Sequence, residues 1–275
     1  MKKTFVAFLF IALLAACKKT TTVTQSALGS VSGGCLIGRW SNDKLPLDIR
    51  LSPEFSAGDK PYLELMAARW NNEVFPLLNK NLIVPSFATA GVSSFASTAS
   101  FNDSEFGIYK SYNWFGNVSH NALAITQFFG TVVNSPGLGN YIDLRHADII
   151  LNYDDYGSEF TMTNQNGFEY DVPTIVLHEM GHFLGLCHKN DQASVMGSYY
   201  LGTTQSLFNY DKKIIKDLYV NGSISGLEVK NTNALSAPVG TEVKGIIELH
   251  ANGKCIHSIN GEKVYEHQTE IFKRK

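Results

Sequence analysis

The sequence predicts an α+β fold, a twisted mixed sheet with helices packed on it, and three observations carry that expectation. Strand-like stretches at 45–51, 121–129 and 141–152 are interspersed with helical stretches that open at Pro61 and cover 172–184 and 209–220. After Gly222 the texture changes to short alternating runs broken by Asn252-Gly253 and Asn260-Gly261, the turn dipeptides of hairpins. The 275 residues are 44% hydrophobic and 17% charged, enough apolar material to bury a core without a disulfide framework or a metal cage, which excludes disordered and collagen-like chains.

The N-terminus reads as an address. Met1-Lys2-Lys3 followed by apolar residues from Phe5 to Ala16 has the charged and hydrophobic regions of a secretory signal and is too short to span a bilayer stably. Leu14-Ala15-Ala16-Cys17 resembles the lipobox of bacterial lipoproteins, which implies cleavage after residue 16 and a diacylglycerol on the Cys17 thiol. Lys18 and Lys19 follow, where an Asp would favour the inner membrane, so the expectation is an exported lipoprotein at the outer membrane or cell surface. Without residues 1–16 the chain keeps 21 basic against 25 acidic side chains, a balance that gives a nucleic-acid partner no support. Residues 17–34, rich in Thr, Ser and Gly, read as a flexible tether.

Leu45-Pro46-Leu47-Asp48-Ile49-Arg50-Leu51 alternates with the period of a half-buried strand. From Pro61, the positions of Leu63, Met66, Ala67, Trp70 and Val74 predict one apolar helix face, with Pro76 expected to end the helix near Phe75. Residues 85–104 lack a clear period and read as loop. Asn134-Ser135-Pro136-Gly137 marks a turn between the two following strands. These elements divide the chain into a signal at 1–16, a tether at 17–34, a main domain at 35–222 and a small β-rich extension at 223–275.

The decisive segment runs from His178 to His188 and spells HExxHxxGxxH. Histidines four residues apart on a helix project from one face, so His178 and His182 can grip one ion. Gly185 stands where the helix must end and the chain turn back, a conformation cheap for glycine, which brings up His188 as third ligand. Three imidazoles leave one tetrahedral position open, the mark of a catalytic zinc site. Glu179, beside the first ligand, can reach a water there without being a ligand itself. His120, His146, His250, His257 and His267 have no comparable spacing and read as surface or core residues.

With that motif the sequence resembles the metzincin metallopeptidases, and within them the matrixins. Ser194-Val195-Met196-Gly197 lies where the family's Met-turn falls, with Met196 eight residues after His188. Ala147-Asp148-Ile149-Ile150-Leu151 resembles the strand before the zinc helix, and Asp211 to Tyr219 the last helix. The resemblance implies a zincin fold with a five-stranded sheet, and a lower part holding His188, the Met-turn and a final helix. Met196 would then lie beneath one catalytic zinc, with Tyr200 beside the pocket that follows the scissile bond. It further implies endopeptidase activity on protein or peptide substrates laid along an edge strand. Two family features are missing from this reading of the sequence: a cysteine-switch propeptide and the His-x-Asp cluster of a second zinc. A zinc-stabilised binding lipoprotein that cleaves nothing is the alternative. Cys35, Cys187 and Cys255 allow one disulfide and one free thiol, with no pair indicated; Cys35 could also face the zinc as a thiolate. Asp154 and Asp155 read as solvated carboxylates that could also join a calcium site.

Overall fold

The computed structural model describes residues 38–163, 169–190, 193–200, 202–223 and 238–268. The signal peptide, Cys17, the tether and Cys35 lie outside the described residues. In chain order the elements are β1 (Gly38–Arg39), β2 (Ile49–Leu51), α1 (Lys60–Leu78), β3 (Ala88–Thr89), β4 (Phe106–Ser111), β5 (Ala122–Ser135) and β6 (Gly139–Asn152). There follow α2 (Tyr153–Tyr156), β7 (Phe160–Thr161), β8 (Tyr170–Asp171), α3 (Val172–Phe183), α4 (Asn209–Lys216), β9 (Glu242–His250), β10 (Lys254–Ile259) and β11 (Glu262–Gln268).

Among the described residues one mixed sheet runs β11-β10-β9-β5-β6-β4-β2-β3, with the short β1 added on β6. The expected five strands are the stretch from β5 to β3, in which β5 and β6 form a long antiparallel hairpin and the other pairs are parallel. Alternate residues of the central strands face opposite covers. Ile108, Ala124, Ile149 and Leu151 join the core beneath α1 and α3, while Tyr109, Ile125 and Ile150 meet Phe101, Trp114 and Phe115 on the other face. This explains why β5 and β6 read as nearly continuous apolar runs. It also gives residues 85–104 their purpose, since Phe95 and Phe101 stack edge-on over each other and Phe101 does the same with Tyr109.

The 45–51 alternation is present, with Leu45, Leu47, Ile49 and Leu51 buried and Pro46 and Asp48 exposed, although the laddered part is only β2. Helix α1 buries the anticipated face plus Asn71, whose amide accepts from the N–H groups of Leu82 and Ile83 and donates to the Ile83 carbonyl. It runs past Pro76 to Leu78, and left-handed Asn79 (φ 50°) closes it by donating its N–H to the Phe75 carbonyl at 2.8 Å. The proline stands in the last turn, and the carbonyl deprived of a partner belongs to exposed Asn72, where water can satisfy it. Strand β4 has no clean periodicity in sequence, because Gly107 and Lys110 interrupt it. Gly107 is required where an added Cβ would lie 2.2 Å from the Tyr109 ring, and Lys110 is buried with its ammonium 4.4 Å from the Phe55 ring centroid.

The β meander expected after Gly222 exists as β9 to β11, with left-handed Asn260 (φ 52°) and Gly261 (φ 83°) forming the two-residue turn. It continues the main sheet: β9 pairs antiparallel with β5 along its length, from Ala122 opposite His250 to Thr131 opposite Glu242. No helix of the described residues is long and apolar enough to cross a membrane.

Candidate metal centre

Helix α3 starts where the Asp171 side chain accepts from the Thr174 N–H at 2.9 Å, and all twelve of its residues are buried. It ends within reach of the N-terminal strand. Gly185 has φ +93°, and a Cβ there would lie 1.9 Å from the Gly38 carbonyl oxygen, so both the turn and the close approach demand glycine. The chain leaving the helix is clamped from both ends of the domain. Gly38 N–H donates to the Gly185 carbonyl at 3.0 Å, Trp40 Nε1 to that of Phe183 at 2.7 Å, and the Tyr219 hydroxyl to that of Leu184 at 2.8 Å.

That turn brings the three expected histidines together. Their Nε2 atoms form a triangle with sides of 3.0, 2.9 and 3.1 Å. His178 Nδ1 lies 2.7 Å from the Val195 carbonyl and His182 Nδ1 2.8 Å from that of Leu186, and since a carbonyl only accepts, both Nδ1 atoms carry the proton. Burial depresses the pKa of His178 to about 4 and holds that of His182 well below the usual imidazole value, so both rings are neutral and aim Nε2 lone pairs at one point. Lone pairs without a proton between them repel, and a cation removes the repulsion. Nitrogens on a tetrahedral zinc stand about 3.3 Å apart for bonds of roughly 2.0–2.1 Å, so the donor set fits zinc after a small expansion. His188 differs in its other nitrogen: His188 Nδ1 lies 2.9 Å from His257 Nε2 and 3.0 Å from Cys255 Sγ, both on β10.

Met196 is fully buried, and its sulfur stands 2.2 Å from where a Gly181 Cβ would be, locking the loop under the helix between the two ligand turns. Asp211 of α4 holds that loop. Its carboxylate accepts from the Ser194 hydroxyl, from the Val195 N–H at 3.0 Å and from the Phe208 N–H at 2.9 Å. The chain of contacts therefore runs from Asp211 through Val195 to His178.

Glu179 is wholly buried. Its Oε2 accepts from the Thr126 hydroxyl at 2.5 Å, while Oε1 has no partner. Burial pushes its pKa up to about 8, with the Thr126 hydrogen bond working in the opposite direction. Tyr200 accepts the Asp171 N–H at 2.8 Å and lines a cavity with Ile175, His178, Val195 and Leu249 of β9.

Four participants escaped the sequence reading: Thr126, Asp211, Cys255 and His257. Only the last two left a local signal, since Cys255-Ile256-His257 puts both side chains on one face of a strand. His257, read as an ordinary surface or core histidine, is buried but borders the site. Cys187 is disulfide-bonded and Cys255 is a free, buried thiol, which removes Cys255 from the pairing left open above. His146-Ala147-Asp148 does have His-x-Asp spacing, which the sequence reading overlooked, and the two side chains bond each other at 2.6 Å. Asp154 accepts the Trp114 N–H and Asp155 meets His120 and Asn152, so neither carboxylate is idle.

Residues 140–220 match the matrixin family. That segment is similar to the matrixins. Karilysin of Tannerella forsythia is 36% identical over 84 residues, a stretch that makes up 30% of this chain and 16% of karilysin. The chain thus spans about a sixth of that curated relative. The matched segment holds β6, α3, the three histidines, the Met196 loop and α4.

Proposed function

We propose that the protein is a zinc endopeptidase. The observation that carries this reading is the convergence of three Nε2 atoms within 3.1 Å of one another, with a buried, unpartnered carboxylate oxygen on Glu179, the residue that follows the first of them. His178, His182 and His188 would hold the ion. When bound, zinc supplies a Lewis acid that acidifies a water and polarises the scissile carbonyl. Glu179 then accepts a proton at Oε1, keeps its orientation through Thr126 at Oε2, and delivers the proton to the leaving amine. Met196 and Asp211 position the histidines from below, and Tyr200 borders the cavity that would take the residue after the cut. One catalytic zinc accounts for the convergence of the three imidazoles.

We further infer from Leu14-Ala15-Ala16-Cys17 that the chain is exported and anchored by lipid at Cys17, with outer membrane or cell surface as its location and extracellular protein or peptide as substrate. Labelling with a radioactive fatty acid, lost in Cys17→Ser, tests the anchor.

Glu179→Ala is expected to keep the fold and one zinc per chain while losing at least about two orders of magnitude in rate, the usual size of general-base catalysis. Near-normal hydrolysis by that variant would remove Glu179 from the mechanism. A casein assay with and without chelator separates the enzyme from a non-cleaving binding lipoprotein, against which stands the intact set of three histidines and a glutamate.

A further inference from the structure

The His188 ring has two working edges. Its Nε2 meets His178 and His182, while its Nδ1 lies 2.9 Å from His257 Nε2 and 3.0 Å from Cys255 Sγ, away from the point where the three Nε2 atoms converge. His188 Nδ1, His257 Nε2 and Cys255 Sγ all stand within 4.8 Å of one another and make a second group of potential ligand atoms. Hydrogen bonding alone does not account for this crowding. A ring nitrogen has a single in-plane direction, filled either by a proton or by a lone pair, and so serves one partner at a time. Here two partners approach it at nearly equal range. An ion seated among the three atoms would serve all of them at once.

The donors are held ready. Cys255 and His257 lie two residues apart on β10 and so share one face of the strand, which is pinned by its pairing with β9, Cys255 opposite Leu249 and His257 opposite Ile247. Cys255 is a free thiol, 0% exposed, and His257 is 5% exposed, so both are offered in a dry interior. On one tetrahedral zinc two nitrogens stand about 3.3 Å apart and a nitrogen and a sulfur roughly 3.6 Å, given bonds of about 2.0–2.1 and 2.3 Å. The group therefore needs only the small expansion that the three Nε2 atoms need. One sulfur with two imidazoles is a set that selects a borderline transition ion over calcium or magnesium. His188 is only partly buried, which gives an ion a way in and water a place as further ligand.

We propose that His188 Nδ1, Cys255 Sγ and His257 Nε2 form a second metal site, for zinc or a similar divalent transition ion, joined to the first through the His188 ring. The site goes beyond the peptidase reading and shares only His188 with it. Filling it breaks the S–H bond of Cys255 and the Nδ1–H bond of His188, forms bonds from the ion to that sulfur, that nitrogen and His257 Nε2, and releases two protons to water; no electron is transferred. The thiolate and imidazolate so formed cancel the two charges of the ion, which suits a buried position. The three Nε2 atoms take an ion without giving up a proton, so that site fills first and the second fills as free zinc rises. Once in place, the second ion ties the C-terminal meander to the turn after α3, bridging 67 and 69 positions of chain.

The test titrates the full metal-free chain with zinc and, separately, with cobalt(II). Wild type is expected to take up a second equivalent of zinc that Cys255→Ser and His257→Ala do not. Cobalt should give a sulfur-to-metal charge-transfer band that grows with the second equivalent, is missing in Cys255→Ser, and persists in the double variant His178→Ala, His182→Ala. Alkylation of Cys255 by iodoacetamide, read by mass spectrometry, should slow at least about tenfold with the second equivalent of zinc and not with the first. The alkylation measurement needs only wild type, so it stands even where a variant fails to fold. The proposal is overturned if wild type saturates at one zinc with Cys255 equally reactive throughout, or if Cys255→Ser and His257→Ala both still bind two. It is equally overturned if the cobalt band vanishes in the folded double variant, since the sulfur would then belong to the ion of the three Nε2 atoms. A single equivalent in wild type that brings the cobalt band and is kept by the double variant would strike the zinc peptidase reading instead and leave the second site standing.

Discussion

Thr126 shows how much a single hydroxyl can govern. It donates to Glu179 Oε2 from a strand 53 residues earlier in the chain and holds down a pKa that burial otherwise raises. Thr126→Val removes the donor and leaves a second carboxylate oxygen buried without a partner. The Glu179 pKa must then rise, so the acid limb of the kcat/KM profile is expected to move to higher pH, with the rate at neutral pH falling. A profile superimposable on wild type would show that the hydroxyl does not tune the base. The residues that carried the sequence reading are those whose relations are local: His178, Glu179, His182, Gly185 and His188 lie within one helix and its turn. Thr126 and Cys255 reach the site only through sheet pairing, across 53 and 67 positions respectively, and no periodicity encodes such meetings.

At the level of elements, the Met196 loop and α4 act as one support. Asp211 accepts three hydrogen bonds from that region, two of them from backbone N–H groups of Val195 and Phe208. Asn at this position turns an acceptor oxygen into a donor that faces another donor. Asp211→Asn is expected to destabilise the fold by about 2 kcal/mol and, because Val195 also orients His178, to weaken zinc binding by about tenfold or more. Urea unfolding and competition with a chromogenic chelator measure the two effects; unchanged zinc affinity would sever the link from α4 to the metal. Helices α1, α3 and α4 were legible because their apolar spacing and stop signals agree with their burial. β4 was not, since its place in the middle of the sheet depends on Gly107 and Lys110, residues that weaken a strand signal. The C-terminal meander was legible as strands, but its docking on β5 was not, because the pairing partner lies more than a hundred residues away.

For the whole molecule, the buried imidazoles link stability to pH. Burial holds the His178 pKa at about 4 and the His257 pKa at about 3, against about 6.5 in an unfolded chain. Between those limits the unfolded chain binds more protons than the folded one, so stability rises with pH through the window and is fully present above about 7. The metal-free protein should accordingly lose stability as pH falls from about 6.5 towards 4. At pH 7 zinc at a hundred times its Kd should add about 2.7 kcal/mol. Thermal unfolding across pH, with and without chelator, checks both; a metal-free Tm independent of pH between 7 and 4.5 would contradict the burial of these rings. The hydrogen bonds that surround Phe183, Leu184 and Gly185 come from Gly38 and Trp40 at one end and Tyr219 at the other. The third histidine is therefore set in place by residues on either side of nearly two hundred positions of chain. The cradle that could hold an ion is therefore complete only once both distant ends have closed on it, and a nick that releases either end is expected to be felt first as weakened ion binding.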